Sequence, residues 1–577
     1  MLQKVATTGI DLDNVYDQTL RRIREQGGSR SRLGMEALMW VSHAERPLRI
    51  DELCHALAVK MEATDLDLEN VRPEDTVLGS CLGLAVVDKA TSTVRLIHYT
   101  LQEYLSRPDV LPDAHRKLGQ TCLTYLNYDR VKKLPADHNL KLTDMPFLEY
   151  SSLHWGAHAK VELSDHAKSL ALGLLNRYDS HISSALLLKL IYPWSYSRSS
   201  HRPFPGLHCA SYFGIDEVVT ALIEMEGCDI NQQDFDGFTP IMRAAQQGNQ
   251  GAVGLLLTRD DFDPEKANSD GETPLHVASS NGHEGVVRLL LTQDDVNPDK
   301  PDNGDQTPLC AASSNGREGV VGLLLARNDV DPDKPGQYGG TPLMWASANG
   351  HEGVVRLLLT QDNVNPDKPD NDSETPLWRA SFHGHEGVVR LLLARDDVNP
   401  NQPNKDGKTP LWCASCHGYE GVVKLLLARG DVNPDQPNND GITPLKCASS
   451  KGHEGVVKLL LSQPAINPGQ PDKNCPTPLQ SASSNGHEEV ASLPLPQDNI
   501  THNEPDSDNP TPLRHASSNG HEEVVTPLVA WGDDTPHEPQ NSDQVPPKIS
   551  SMRKYRRIIA EHMPRLWGKK KKGRERL

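Results

Sequence analysis

Thr273-Pro-Leu-His-Val-Ala-Ser-Ser-Asn-Gly282-His-Glu-Gly-Val-Val-Arg-Leu-Leu-Leu291, a polar turn, then Val296-Asn297, is the stretch that decides the fold. The Thr273 hydroxyl can cap a helix, and Pro274 fits the first helical position, where no amide partner is needed. Leu275 and Ala278 sit three apart and share one face, and Gly282 suits a left-handed cap that ends a short helix. Val286, Val287, Leu290 and Leu291 then fall at the spacing of a second helix. The unit returns. Thr-Pro recurs nine times at intervals of 34 residues, at Thr239, Thr273, Thr307, Thr341, Thr375, Thr409, Thr443, Thr477 and Thr511. An imperfect tenth copy begins at Pro205-Gly206-Leu207-His208, and the capping glycine stands in all ten copies, from Gly214 to Gly520. A period of about 34 marks a stacked helical solenoid, which buries its core between neighbours and leaves a long concave surface for recognition.

Thr-Pro-Leu-His, Gly-His and Val-Val-x-Leu-Leu at these offsets resemble the ankyrin repeat, over roughly residues 201 to 530. The departures explain the longer period. The turn after the Leu-Leu run is one residue shorter, Ala394-Arg-Asp-Asp before Val398, and the following finger, Pro400 to Lys408, is two longer than the usual seven. Stretches such as Asp299-Lys300-Pro301-Asp302 predict stiff, extended fingers. Pro494 and Pro527 fall inside second helices, where proline costs about 3 kcal/mol or more. The well-packed array is therefore expected to stop near residue 470 to 490.

Apolar residues make up 36% and aromatics 5% of the 577, which suits thin repeat layers better than one large core. The net charge is −19, unevenly spread. From Ser551 onward eleven Lys and Arg face Glu561 and Glu575, a surplus of nine positive charges, so the preceding residues carry −28. An acidic body disfavours broad phosphate binding, whereas the basic end resembles a nuclear localisation cluster at Lys569-Lys572, Arg574 and Arg576. Ten cysteines without a disulfide-like pattern and no signal sequence predict a reducing, cytoplasmic setting, with the nucleus as the alternative that the tail suggests. No apolar run approaches the 18 or so residues that span a bilayer.

The first third reads differently. Met35 to His43 and Ile50 to Val59 are expected helices, Leu84 to Asp88 and Thr93 to His98 strands around a turn, and Tyr99 to Ser106 a helix again. Helices followed by a β-wing suggest a winged helix over residues 1 to 110. Helical patterning at Cys122 to Leu126 and Ala185 to Leu190 predicts a helical linker domain over 111 to 200. The expected fold class is thus mainly α: winged helix, helical region, ten 34-residue repeats over 201 to 532 with the last two degenerate, and a disordered basic tail over 533 to 577.

Asn14-Val-Tyr-Asp-Gln-Thr-Leu-Arg-Arg-Ile23, Arg46-Pro-Leu-Arg-Ile-Asp-Glu-Leu53 and Leu96-Ile-His-Tyr-Thr-Leu-Gln-Glu-Tyr-Leu105 carry a second resemblance. They look like the winged-helix segment of fungal NACHT-ankyrin proteins, NLR-like signalling ATPases, also filed as the winged helix of GPI inositol-deacylase-like proteins. The resemblance maps a nucleotide-phosphate contact onto His98, against the plainer reading of a packed hairpin-end histidine. No Gly-x-x-x-x-Gly-Lys-Ser/Thr loop exists, which implies a chain beginning just after the NTPase core and an NTPase supplied, if at all, in trans. No Gly-x-Ser-x-Gly elbow supports hydrolase chemistry.

No residue is assigned to catalysis, cofactor or metal binding. Cys413-Ala-Ser-Cys416-His417 matches a haem-attachment pattern and half a zinc site, but Cys413 and Cys416 take first-helix positions held by Val277 and Ser280, and no second pair completes four ligands. His283, His351, His385, His453, His487 and His521 stand at least one repeat apart, about 10 Å in a stacked solenoid, too far to share an ion with ligand bonds of roughly 2 Å. For partner binding, the ankyrin resemblance implies contact at the finger residue before Thr-Pro and the two residues before the glycine: here Glu374, Phe382, His383, Lys408 and His417. Trp345, Trp378, Arg379 and Trp412 join them because Trp and Arg are enriched at binding hot spots. The plainer reading, that the tryptophans fill inter-repeat core, stands beside it, while Phe382 and His383 are expected to be exposed.

The function these readings favour is a non-enzymatic scaffold that binds proteins through the repeats, in NLR-like signalling. The competing class is a nuclear DNA-binding regulator using the winged helix and basic tail. Asp51, Glu52, Glu69, Glu74 and Asp75 argue against it, since acidic side chains repel phosphates.

Overall fold

A computed structural model describes residues 12–136, 144–192, 204–466, 477–493, 512–521 and 523–525. Pro494, Pro527 and the basic tail lie outside the described residues.

The winged helix is built as its pattern requires. Helices α1 (Leu12–Glu25), α2 (Gly28–His43), α3 (Ile50–Ala58) and α4 (Glu74–Ser80) precede strands β1 (Ala85–Asp88) and β2 (Thr93–Leu96), and α5 (Tyr99–Leu105) follows. The strands are antiparallel, with Ala85 opposite Leu96 and Asp88 opposite Thr93. Leu48 extends the wing by accepting the Val94 amide at 2.8 Å. Glu52 differs from its sequence reading. It is fully buried, takes two guanidinium bonds from Arg46 at 2.7 and 2.8 Å, and accepts the Arg49 amide at 2.8 Å. It is a structural anchor and repels nothing outside. Asp51, Glu69, Glu74 and Asp75 are exposed.

The helical region comprises α6 (Ala114–Leu126), α7 (Asp129–Lys132), α8 (Phe147–Val161), α9 (Asp165–Leu175) and α10 (Ile182–Ile191). Aromatic packing joins it to both neighbours. Trp40 of α2 meets Phe147 and Tyr150 of α8 edge-on, at centroid distances of 5.3 and 5.8 Å. Trp155, further along α8, packs on Phe213 of the first repeat at 5.5 Å. Arg243 of the second repeat is wholly buried; it is held by Asp234 at 2.8 Å, lies 2.8 Å from the Tyr192 hydroxyl and lies over the Phe238 ring. One apolar core therefore runs from Tyr16 to Leu493. The helical region covers the open end of the solenoid, as a solenoid needs a cap.

Each repeat pairs a first and a second helix, as in Pro376–His383 and Glu386–Leu393. The threonine hydroxyl caps as expected: Thr273 accepts the His276 amide at 3.3 Å and Thr409 the Trp412 amide at 3.1 Å. The glycine after the first helix is needed twice over. Gly350 holds φ at +77°, and a β-carbon there would come within 2.7 Å of the His385 ring of the next repeat. That ring has its own task. His385 Nε2 donates to the Ala348 carbonyl of the preceding repeat at 2.9 Å, and His283, His351, His453, His487 and His521 make the same bond in their repeats. The recurrent histidine is an inter-repeat staple.

Side-chain turns also shape the fingers. Asn404 Oδ1 accepts the amides of Asp406 and Lys408 at 3.0 Å, as Asp370 does for Asp372 and Glu374. Single backbone bonds then link finger to finger, such as Lys405 N to Asp372 O at 3.0 Å. In the Thr477 repeat the second helix shrinks to Glu488–Ala491, against Glu454–Leu461 one repeat earlier.

Candidate protein-binding surface

Two consecutive repeats, beginning at Thr375 and Thr409, bring most of the predicted binding residues onto one face of fingers and first-helix ends. The foundation is aromatic. Trp378 and Trp412 hold the same position in successive first helices, four per cent and nine per cent exposed. Each indole N–H donates at 2.8 Å to a finger carbonyl of the next repeat, Lys408 O and Ile442 O respectively. Both tryptophans are inter-repeat core, so they support the face from below instead of meeting a partner.

Above them lie the groups a partner can touch. Phe382 is half-buried, stacked on Trp378 at 5.2 Å with 11° between planes. His383 and His417, both exposed, approach the Phe382 ring edge-on at 5.0 and 4.7 Å. Phe382 is thus less open than its sequence position suggested, because the indole beneath it covers one ring face. His417 is anchored through Nδ1, which donates to the Cys413 carbonyl at 2.9 Å, and its ring stacks on Tyr419 at 5.8 Å. Burial and the neighbouring His385, Arg379 and His417 lower the pKa of His383, which keeps it neutral around pH 7.

A charged edge flanks the rings. Arg379 bridges Glu374 at 2.8 Å and Asp370 at 3.0 Å, and its guanidinium lies over the edge of the Trp378 ring. Burial raises the Glu374 carboxyl above its usual range, while Arg379 draws it back down. Lys408 pairs with Asp406 at 2.8 Å and sits 5.5 Å from the Trp412 ring. That pair raises the Lys408 pKa, mainly through the hydrogen bond to Asp406. Trp345 stands apart, at the Arg379 position one repeat earlier, with its indole nitrogen packed over Gly340.

Three contributors escaped the sequence reading. Tyr419 replaces the stapling histidine, and its deviation from the repeat was the available signal. Tyr338 projects from a finger at 65% exposure with φ of +59°. Cys416 is joined to Cys447 of the next repeat across 5.1 Å between Cα atoms, a pair that the absence of a disulfide-like pattern in the sequence did not suggest. The two are 31 residues apart, close to one period, so stacking brings them together in the small cluster against which Phe382 also packs. His98 is exposed and caps α5, accepting the Thr100 amide through Nδ1 at 3.3 Å.

Comparison with known families identifies the repeats. Residues 207–302, 255–336, 309–403 and 397–472 match the family described as "Ankyrin repeats (3 copies)". The solenoid consists of ankyrin repeats. Ahead of them, residues 23–113 match the winged helix domain of GPI inositol-deacylase. Among solved structures, the human ASB11 ankyrin repeat domain is similar, at 24% identity over 40% of this chain and 99% of that one, with a TM-score of 0.35. No curated protein matches the chain. Ankyrin repeats point to protein partners, and no described helix is long and apolar enough to cross a membrane.

Proposed function

We propose that the chain is a non-enzymatic scaffold that captures a partner protein on the ankyrin face formed by the Thr375 and Thr409 repeats. The observation that carries this reading is the ring cluster Phe382, His383 and His417, presented at first-helix ends and stacked on the buried Trp378. Side chains held over a packed base lose little entropy on binding, and aromatic residues such as Phe are enriched at interfaces. The adjoining Arg379–Glu374 and Lys408–Asp406 pairs supply a polar rim. The winged helix supports a place in NLR-like signalling, in which an NTPase partner would act in trans, and a cytoplasmic setting fits that role.

The test is capture of partners by the full chain, compared with a Phe382→Ala/His417→Ala variant. Truncating a hot-spot pair costs about 2 kcal/mol, roughly 30-fold in Kd, so the captured partner should fall away. Equal capture by the variant at an unchanged unfolding midpoint would discard this face.

A further inference from the structure

We infer that Glu45, His115 and His158 form a binding site for a divalent transition-metal ion, zinc above all, at the junction of the winged helix and the helical region. Glu45 lies in the turn between α2 and α3, His115 on α6 and His158 on α8. His115 Nδ1 and His158 Nδ1 are 3.0 Å apart, Glu45 Oε1 is 3.9 Å from His158 Nδ1, and all three donor atoms lie within 4.8 Å of one another. A tetrahedral ion with bonds near 2.0–2.1 Å spreads its ligands about 3.3 Å apart. The two imidazoles already stand close to that spacing, and Glu45, 37% exposed, needs only to swing inward.

The surroundings aim these groups. His158 is wholly buried, and its Nε2 lies 2.9 Å from the Tyr150 hydroxyl, which also accepts the Glu45 amide at 3.0 Å. When His158 Nε2–H donates to Tyr150, the Nδ1 lone pair turns toward His115 and Glu45, the arrangement by which outer groups orient metal-bound histidines. One hydroxyl thus positions two of the three ligands. His43 packs on the far side of His115 at 5.5 Å with its own Nδ1 engaged by Ser42. Two imidazoles and one carboxylate suit zinc, and the exposed Glu45 side leaves room for a water as fourth ligand.

Glu272, His276 and Asp302 also converge, with His276 Nε2 at 4.0 and 3.8 Å from the two carboxylates. That trio has one imidazole and two carboxylates, a donor set less suited to zinc than two imidazoles and one carboxylate. It serves as the comparison.

The experiment uses the purified full chain stripped with a chelator and titrated with Zn²⁺ by calorimetry, with Mg²⁺ as the hard-ion control. His115→Ala and Glu45→Gln, both at partly exposed positions, should each lose one zinc equivalent, while His276→Gln keeps it. Tyr150→Phe should weaken that equivalent by about 10- to 100-fold. Zn²⁺ should raise the thermal midpoint of the unaltered chain and leave that of His115→Ala unmoved. Absence of zinc binding by the unaltered chain, or full zinc stoichiometry in folded His115→Ala and Glu45→Gln, would overturn the assignment.

Discussion

At the level of single residues, conformation and protonation make separable predictions. The finger position before the Glu374-type residue is glycine in most repeats, with positive φ at Gly271, Gly407 and Gly441, but Ser373 and Asp305 hold it at +62° and +61°. A left-handed residue costs about 1–2 kcal/mol, less for Asp, whereas glycine loses about 0.5–1 kcal/mol in chain entropy. Ser373→Gly should therefore stabilise the protein by up to about 1 kcal/mol and Asp305→Gly by less, read from urea unfolding. Equal destabilisation by both would refute the backbone argument. His181 titrates in a predictable direction. It donates from Nε2 to the Leu126 carbonyl and accepts the Ser183 amide at Nδ1, and burial lowers its pKa to about 4. The unfolded chain, with an ordinary value near 6.5, binds that proton first. Stability is then complete above about pH 6.5 and falls as the pH drops toward 4, by on the order of 3 kcal/mol from this residue. His181→Gln should flatten the pH profile of the unfolding free energy; an unchanged slope would show that His181 is not its source.

Among the elements, the repeat was the most legible and the contacts between repeats the least. Thr273, Pro274 and Gly282 announce their helix locally, because caps depend on neighbours in the chain. The same holds for the β-wing, whose Ala85–Asp88 and Thr93–Leu96 strands fall inside the expected runs. Sequence reading left Trp378 and Trp412 open between core and surface, because burial depends on the finger of the following repeat. It missed Cys416–Cys447 for the same reason, and it read Glu52 as a surface charge because Arg46 closes over it only in the fold. The histidine staple was legible as a structural position, though not its bond. Gly350→Ala should cost at least about 2 kcal/mol, combining left-handed strain with the clash against His385. Adding His385→Ala should recover the clash but not the strain. Unfolding of the two singles and the double measures this coupling, and strictly additive values would deny the contact.

Across the whole molecule, a continuous core links the winged helix, the helical region and the repeats, so the helical region acts as the solenoid's amino-terminal cap. Solenoid stability is close to a sum of nearest-neighbour terms, so fraying should begin at the far end, where the Thr477 repeat has a second helix of four residues. Hydrogen exchange should find the Thr239 to Thr443 repeats more protected than the Thr477 repeat; the reverse gradient would contradict the capping role. The central claim is that this capped, stiff array presents the Thr375–Thr409 face to a partner protein. Its most direct measurement is site-specific photo-crosslinking in the full chain, from position 383 on that face and from the exposed position 288 on a second helix. A discrete partner band from 383 and none from 288 is predicted. The same partner captured equally from both positions, or from 288 alone, would contradict it.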